Sequence, residues 1–287
     1  MRKITEEELL KKLYSSRPVS ELTKIEKKES LNTGLSIIDN NFGFPTGYYV
    51  IVGNPGVGKS WFALWLARMF YRHDLIKSVF FSLEMPEQLV KQRILQQWSD
   101  LTKSQLESGE STQEAVEMLG KDIIIVDEFY SGDTKRQTPQ EFRLWIEEYY
   151  KIGYRVFQLD HFHELGGAST NETNQGVVER WGLMFQQICK DYKDIWLIIY
   201  AQPNSTKARF LKRSSLLGSK ALTYKCDYFL SLNKNVDEDE LDVDKNIIDG
   251  NNDIVLFIDK TRYTEKTKIG LLIEFSETGN FTSWRKK

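Results

Sequence analysis

The run Gly53-Asn54-Pro55-Gly56-Val57-Gly58-Lys59-Ser60 fits the pattern GxxxxGK[ST], and its flanks restrict the chain to few folds. An apolar segment, Tyr48–Val52, leads into it, and a helical pattern, Trp61–Tyr71, leads out. A strand that ends in a glycine-rich turn and reopens as a helix forms the phosphate-binding loop of an α/β nucleoside triphosphatase. The glycines let the backbone curl until successive N–H groups face phosphate, and the N-terminus of the next helix adds its partial positive charge. Lys59 is then placed to neutralise the β- and γ-phosphates of ATP, and Ser60 to ligate Mg2+. A turn that merely joined a strand to a helix would leave Lys59 solvated and would not need this spacing.

The rest of the chain repeats the strand-then-helix rhythm of a mostly parallel sheet covered on both faces. Strands are predicted at Tyr48–Val52, Ser78–Ser82, Ile123–Val126, Val156–Leu159, Ile195–Tyr200, Tyr228–Leu232, Ile254–Lys260 and Leu271–Phe275. The last two are expected to form an antiparallel edge. Helices are predicted after Lys59, after Pro86, after Pro139 and from Asn171 to Tyr192, with both prolines suited to a first helical turn. Residues 1–30 differ in character: Glu6–Leu13 has a helical pattern and a Lys-rich stretch precedes Leu31, which reads as an arm before a single domain over 31–287. Asn235–Asp253 holds eight acidic residues and one Lys, the composition of a solvated loop insertion.

Bulk charge narrows the partners. Lys and Arg number 39 against 41 Asp and Glu, a net charge of -2, so any contact with nucleic acid must be local rather than a property of the whole surface. Cys189 and Cys226 have neither metal-ligand nor disulfide-scaffold spacing and read as buried small residues in a reducing, cytoplasmic protein. No stretch approaches the roughly 18 apolar residues of a membrane span.

Phosphoryl transfer to water needs a carboxylate for magnesium, a group to activate the water and positive charge near the γ-phosphate. Two strands end in candidates for the first: Ile123–Val126 runs into Asp127-Glu128, and Val156–Leu159 runs into Asp160. Pattern alone favours Asp127-Glu128, but the strand into Asp160 follows the helix Pro139–Ile152 and fits a central place in the sheet, so both stay open. Glu84, just past Ser78–Ser82, is placed to polarise the water, and Gln202, just past Ile195–Tyr200, to sense the γ-phosphate, though each taken alone also reads as an ordinary loop residue.

The stretch from Ile195 to Cys226 has no acidic residue but carries Lys207, Arg209, Lys212, Arg213, Lys220 and Lys225. Such a segment suits a polyanion bound without sequence preference, though a solvated basic loop has the same composition. Lys260 and Arg262 close a strand with two cations on one face. They fit either a pair donated to a neighbouring subunit's γ-phosphate or charges that protect a sheet edge.

Five ordered blocks resemble the RecA-like motor domain of DnaB-type replicative helicases, from about Leu31 to Phe281. They are Thr33-Gly34-Leu35-Ser36-Ile37-Ile38-Asp39, the phosphate loop, Phe81-Ser82-Leu83-Glu84-Met85, Leu159-Asp160-His161 with Gln202, and Lys260-Thr261-Arg262. The resemblance implies a RecA-like P-loop fold and an ATP- and Mg2+-dependent helicase ring, a homo-hexamer that moves on single-stranded DNA. It also implies that Asp160 rather than Asp127 holds magnesium, that Glu84 activates the water and Gln202 senses the phosphate. Lys260 and Arg262 would act on the adjacent subunit, while Lys207, Arg209, Lys212, Arg213 and Lys220 would line the DNA channel. A primase or helicase loader is the implied partner.

The chain departs from the family pattern in two places. Leu217-Gly218-Ser219-Lys220 stands where the family shows an Arg-Glu-Ser-Gly-like turn against DNA, so the DNA contacts are expected to be shifted or weaker. Before Leu31 there is too little length for the family's N-terminal helical domain, which points to a compact viral or plasmid helicase or to a chain that has lost unwinding. The rival readings are a recombinase of the RecA or RadA kind and an ATP-switched helicase regulator or loader.

Overall fold

A computed structural model describes residues 28–110, 123–127, 138–165, 174–203, 211–216, 220–234, 253–262 and 269–283. The arm up to residue 27, with its Glu6–Leu13 pattern, lies outside the described residues. So do Glu128, Lys207, Arg209, residues 217–219 and the acidic segment through residue 252.

Among the described residues, nine strands form one sheet: β1 Gly47–Gly53, β2 Ser78–Ser82, β3 Ile123–Val126, β4 Val156–Asp160, β5 Trp196–Ala201, β6 Tyr228–Lys234, β7 Asp253–Thr261, β8 Ile269–Phe275 and β9 Phe281–Ser283. Their order is β3-β2-β4-β5-β1-β6-β7-β8-β9. All pairs from β3 to β6 are parallel, and β6 to β9 continue as antiparallel neighbours. The antiparallel part is therefore wider than the expected two-strand edge, because the short β9 pairs with β8 and β7 turns back along β6. Three residues of β9 carry too little periodicity to be legible in sequence.

Residues of β1 are buried throughout and alternate between two cores. Tyr49 and Ile51 join Phe62, Leu66 and Phe70 of helix α2 (Lys59–Asp74) on one face, after the short α1 (Ser36–Asn41). Helices α3 (Glu87–Ser99) and α4 (Lys103–Glu107) follow on the chain, and Val90 and Ile94 of α3 enter the same core. On the other face Tyr48, Val50 and Val52 meet Phe142 and Ile146 of α5 (Pro139–Lys151) and Trp181, Phe185 and Ile188 of α6 (Asn174–Asp191). Burial on both faces is why these strands read as continuous apolar runs rather than alternating ones.

Local signals explain the helix starts. Thr138 accepts from the Glu141 amide, Glu141 reaches back to the Thr138 amide at 2.9 Å, and Pro139 occupies the first helical position of α5. Pro86, by contrast, is the extended residue before α3 rather than part of its first turn. Cys226 is buried as expected, whereas Cys189 is partly exposed, and both are free thiols. No helix among the described residues is long and apolar enough to cross a membrane.

Candidate active site

The phosphate loop joins β1 to α2 near the middle of the sheet, where β5 lies on one side of β1 and β6 on the other. The connection out of β1 runs to β2 on one side, whereas the connection out of its neighbour β5 runs to β6 on the other, and such a crevice beyond the strand C-termini is where open α/β sheets bind ligands. Gly53 is required by crowding, since a Cβ there would lie 2.5 Å from the Val57 side chain. Gly58 is required by conformation, with φ at 101° immediately before the first turn of α2. Lys59 is 7% exposed and folds back onto the loop, donating to the carbonyls of Gly53 at 2.8 Å and Asn54 at 3.1 Å. Burial lowers its pKa, and the negative charges of Asp160 and Glu84 oppose that shift.

Asp160 ends β4, one strand beyond β5, and is 1% exposed. Burial raises its carboxyl above the ordinary value, while Ser60, His161 and Lys59 pull it down. Ser60 is close enough to act on it, yet neither carboxylate oxygen meets hydrogen-bond geometry with any partner among the described residues. A buried carboxylate with open lone pairs beside a serine hydroxyl is a fitting oxygen donor set for a hard cation such as Mg2+. Asp127 lies elsewhere: it is exposed beyond β3, the outermost strand. Lateral position in the sheet thus puts Asp160, and not Asp127, near the phosphate loop.

Glu84 is held by a pinned turn. The Leu83 amide donates to the Asp160 carbonyl at 2.8 Å, and the Ser82 hydroxyl closes the turn on the Met85 carbonyl at 2.7 Å. Its side chain stays 50% exposed, with Oε2 at 3.4 Å from Nδ1 of buried His161. Ligand atoms of Glu84, Asp160 and His161 all lie within 4.8 Å of one another. Gln202 follows β5, and its amide donates to Nδ1 of His163 at 3.4 Å. Partial desolvation, with His161 and Lys59 nearby, lowers the His163 pKa and favours the neutral ring that can accept this bond. A cleft of about 450 Å³ brings together Gly56, Lys59, Ser60, Glu84, Gln202 and Arg93 of α3. Arg93 and His163 carried no motif in the sequence; each reaches the site only because its element packs beside the loop.

Lys260 and Arg262 are not in this cleft. Register places Lys260 opposite Phe229, three positions before Leu232, the partner of Gly53. That is about 10 Å along the strands and about 10 Å across two strand spacings, away from the phosphate side. Lys260 donates to the carbonyls of Thr223, Tyr224 and Cys226 at 3.0, 3.0 and 2.6 Å, capping helix α7 (Lys220–Lys225). Arg262 donates to the Tyr224 carbonyl at 2.8 Å and stands 3.6 Å from the Asp227 carboxylate.

Of the basic segment, exposed Lys212 and Arg213 follow Leu211, which is buried and held by Asn233 at 2.7 Å and by the Ser231 hydroxyl at 2.6 Å. Those partners lie on β6 at the same end of the sheet as the phosphate loop. Lys220 opens α7, and Lys207 and Arg209 lie outside the described residues.

Comparison with known proteins agrees with this architecture. The DnaB-like helicase C terminal domain family matches residues 30–279. The replicative DNA helicase DnaB of a Nostoc species is 23% identical over 176 residues, 54% of this chain and 19% of that relative's length. Among solved structures, an isolated ATPase domain aligns with a TM-score of 0.73 at 17% identity, covering 99% of this chain and 100% of that one. A DnaB-like replicative helicase, described with its interactions with primase, aligns at 0.74 and 17% identity over 97% of this chain and 71% of its own. The RadB recombinase aligns at 0.56 and 14% identity over 89% of this chain and 100% of that one. With a mostly parallel sheet, an antiparallel C-terminal extension and a family match across nearly its whole length, the chain belongs to the DnaB-like helicase C-terminal domain family, with the RecA-like ATPase fold.

Proposed function

We propose that this chain is a ring-forming motor that hydrolyses ATP at subunit interfaces and moves along single-stranded DNA. One observation carries the reading: Lys59, Ser60 and Glu84 line one cleft with the unpartnered Asp160 buried beside Ser60, while Lys260 and Arg262 are bonded to carbonyls of α7 outside it. In this reading the pair Lys260 and Arg262, held outside its own chain's cleft, serves the cleft of another copy, which requires an oligomer, here a homo-hexamer.

In this mechanism Lys59 leaves the Gly53 and Asn54 carbonyls for the β- and γ-phosphates of ATP, which the amides of the Gly53–Ser60 loop, including those of Asn54, Gly56, Val57 and Gly58, also cradle. Pro55 has no amide hydrogen and shapes the turn. Ser60 and Asp160 would hold Mg2+, which when bound neutralises charge on the phosphate oxygens. Glu84 accepts a proton from the attacking water at its exposed carboxylate. Gln202 hydrogen-bonds the γ-phosphate and transmits its loss to the segment that begins at Pro203. Lys260 and Arg262 exchange the α7 carbonyls for the neighbour's γ-phosphate. Lys207, Arg209, Lys212, Arg213 and Lys220 contact the DNA backbone without reading bases. The segment Glu6–Leu13 of the arm packs on an adjacent subunit, in a cytoplasmic complex that a primase or loader joins.

The test is the ATPase rate with and without single-stranded DNA, beside strand displacement on a forked duplex at low and moderate salt. DNA-stimulated, salt-sensitive hydrolysis with displacement supports the motor. Helical filaments on DNA without displacement would replace it with a recombinase, and slow, DNA-independent turnover would replace it with a regulator or loader.

A further inference from the structure

Arg93 is a cation of the cleft that the proposed mechanism leaves unused. It sits on α3, and its guanidinium carbon lies 5.0 Å from the centroid of the Trp61 ring, the residue directly after Ser60. Trp61 also packs on Phe275, with ring centroids 6.2 Å apart. Stacking on an indole fixes the plane of a guanidinium and leaves its N–H edge available. The helix that follows the Glu84 turn is thereby tied to the first turn of the loop helix, with Arg93 aimed into the space between them.

The electrostatics point to an anion. Arg93 is partly buried, and desolvation lowers its pKa against the opposing fields of Asp160 and Glu84. Glu84 approaches His161 instead, and no carboxylate among the described residues forms an ion pair with Arg93. A half-desolvated guanidinium without a fixed counter-ion is costly unless a ligand supplies one. Phosphate matches its fork of donors in geometry and charge. Asp160 and Glu84 are the two carboxylates whose fields reach Arg93, and both belong to the γ-phosphate end of the site in the proposed mechanism.

We infer that Arg93 contacts the terminal phosphate of a nucleoside triphosphate bound in its own subunit and so distinguishes triphosphate from diphosphate. This rests on the proposed nucleotide site and deepens it: the cleft holds a cation in cis for the ground state, separate from the pair offered across the interface.

The test compares binding of fluorescent ADP and a fluorescent non-hydrolysable ATP analogue to the full chain and to Arg93→Met, Arg93→Lys and Lys59→Ala, with thermal unfolding as the folding control. Arg93→Met should weaken the ATP analogue about tenfold or more and leave ADP within about twofold, a difference approaching one decade in Kd. Arg93→Lys should recover part of the loss, since it restores charge without the fork. Equal weakening of both nucleotides, or of neither, in folded Arg93→Met and Arg93→Lys would overturn the inference while leaving the nucleotide site in place. Failure of the unsubstituted chain to bind either nucleotide would overturn the proposed function, and the inference with it. Lys59→Ala, which should weaken both nucleotides, confirms that the signal comes from the loop.

Discussion

The hydroxyl of Tyr200 donates to Oε1 of Gln158 at 2.7 Å, fully buried between two neighbouring strands. Gln158 in turn donates through Nε2 to the carbonyl of Ala63 on the loop helix at 3.0 Å. Tyr200 lies two residues before Gln202, and Gln158 two before Asp160, so one buried chain of bonds ties both site-bearing strands to the helix that opens with Lys59. Tyr200→Phe should leave Oε1 of Gln158 without a donor and cost about 1–3 kcal/mol, read as a lower urea midpoint at unchanged slope. A Gln158→Leu background should shrink that cost, because the stranded acceptor is then gone. Additive effects in the double variant would show that the two side chains do not act as a unit.

Asp160 should be a source of instability in the nucleotide-free chain. Its carboxyl is held above the ordinary value by burial, so the folded chain binds that proton more tightly than the unfolded chain does. Its contribution therefore favours folding below the usual carboxylate range and is lost as pH rises through the raised pKa. Asp160→Asn should raise stability near neutral pH by about 1–3 kcal/mol and flatten its decline above the acidic range. Thermal unfolding across a pH series measures this, and an unchanged or steeper decline in the variant would remove Asp160 as its cause. Hydrolysis should be lost in the same variant, separating stability from function.

Lys59→Ala and Glu84→Gln should fail in different ways. Lys59 is buried against the loop carbonyls, and its removal should weaken nucleotide binding and hydrolysis together. Glu84 is half exposed on a turn pinned by bonds that do not involve its side chain. Glu84→Gln should keep binding and lower kcat by about 10²-fold or more, the scale of general-base loss. Equilibrium binding beside single-turnover kinetics distinguishes the two, and a Glu84→Gln chain with normal kcat would rule out its role as the base.

The proposal of sites shared between subunits predicts complementation. Lys59→Ala and Arg262→Ala chains should each be inactive alone, the second while still binding nucleotide. Mixed in equal amounts and allowed to exchange subunits, they should regain activity, since roughly a quarter of the interfaces in a randomly assembled ring pair an intact loop with an intact Arg262. No recovery from chains shown to co-assemble would place Arg262 outside the neighbour's site and leave it as a cap of α7.

What the sequence determined by itself was whatever is contiguous along the chain. The loop Gly53–Ser60, its strand and its helix are one uninterrupted segment whose glycine spacing encodes the curl, and apolar runs near β1, β4 and β5 announce strands buried on both faces. Helix α5 was marked by Pro139 for the same reason, and Thr138 and Glu141 beside it close the cap. Tertiary structure decided what depends on lateral order. Asp127 and Asp160 end similar strands, and only the order β3-β2-β4-β5-β1 puts one at the rim and the other near the loop. Arg93 enters the cleft because α3 packs beside α2, and Lys260 with Arg262 leaves it because β7 runs antiparallel to β6. Strand order and helix packing are set by contacts between residues far apart in the chain, and local composition holds no record of which neighbour a strand will choose.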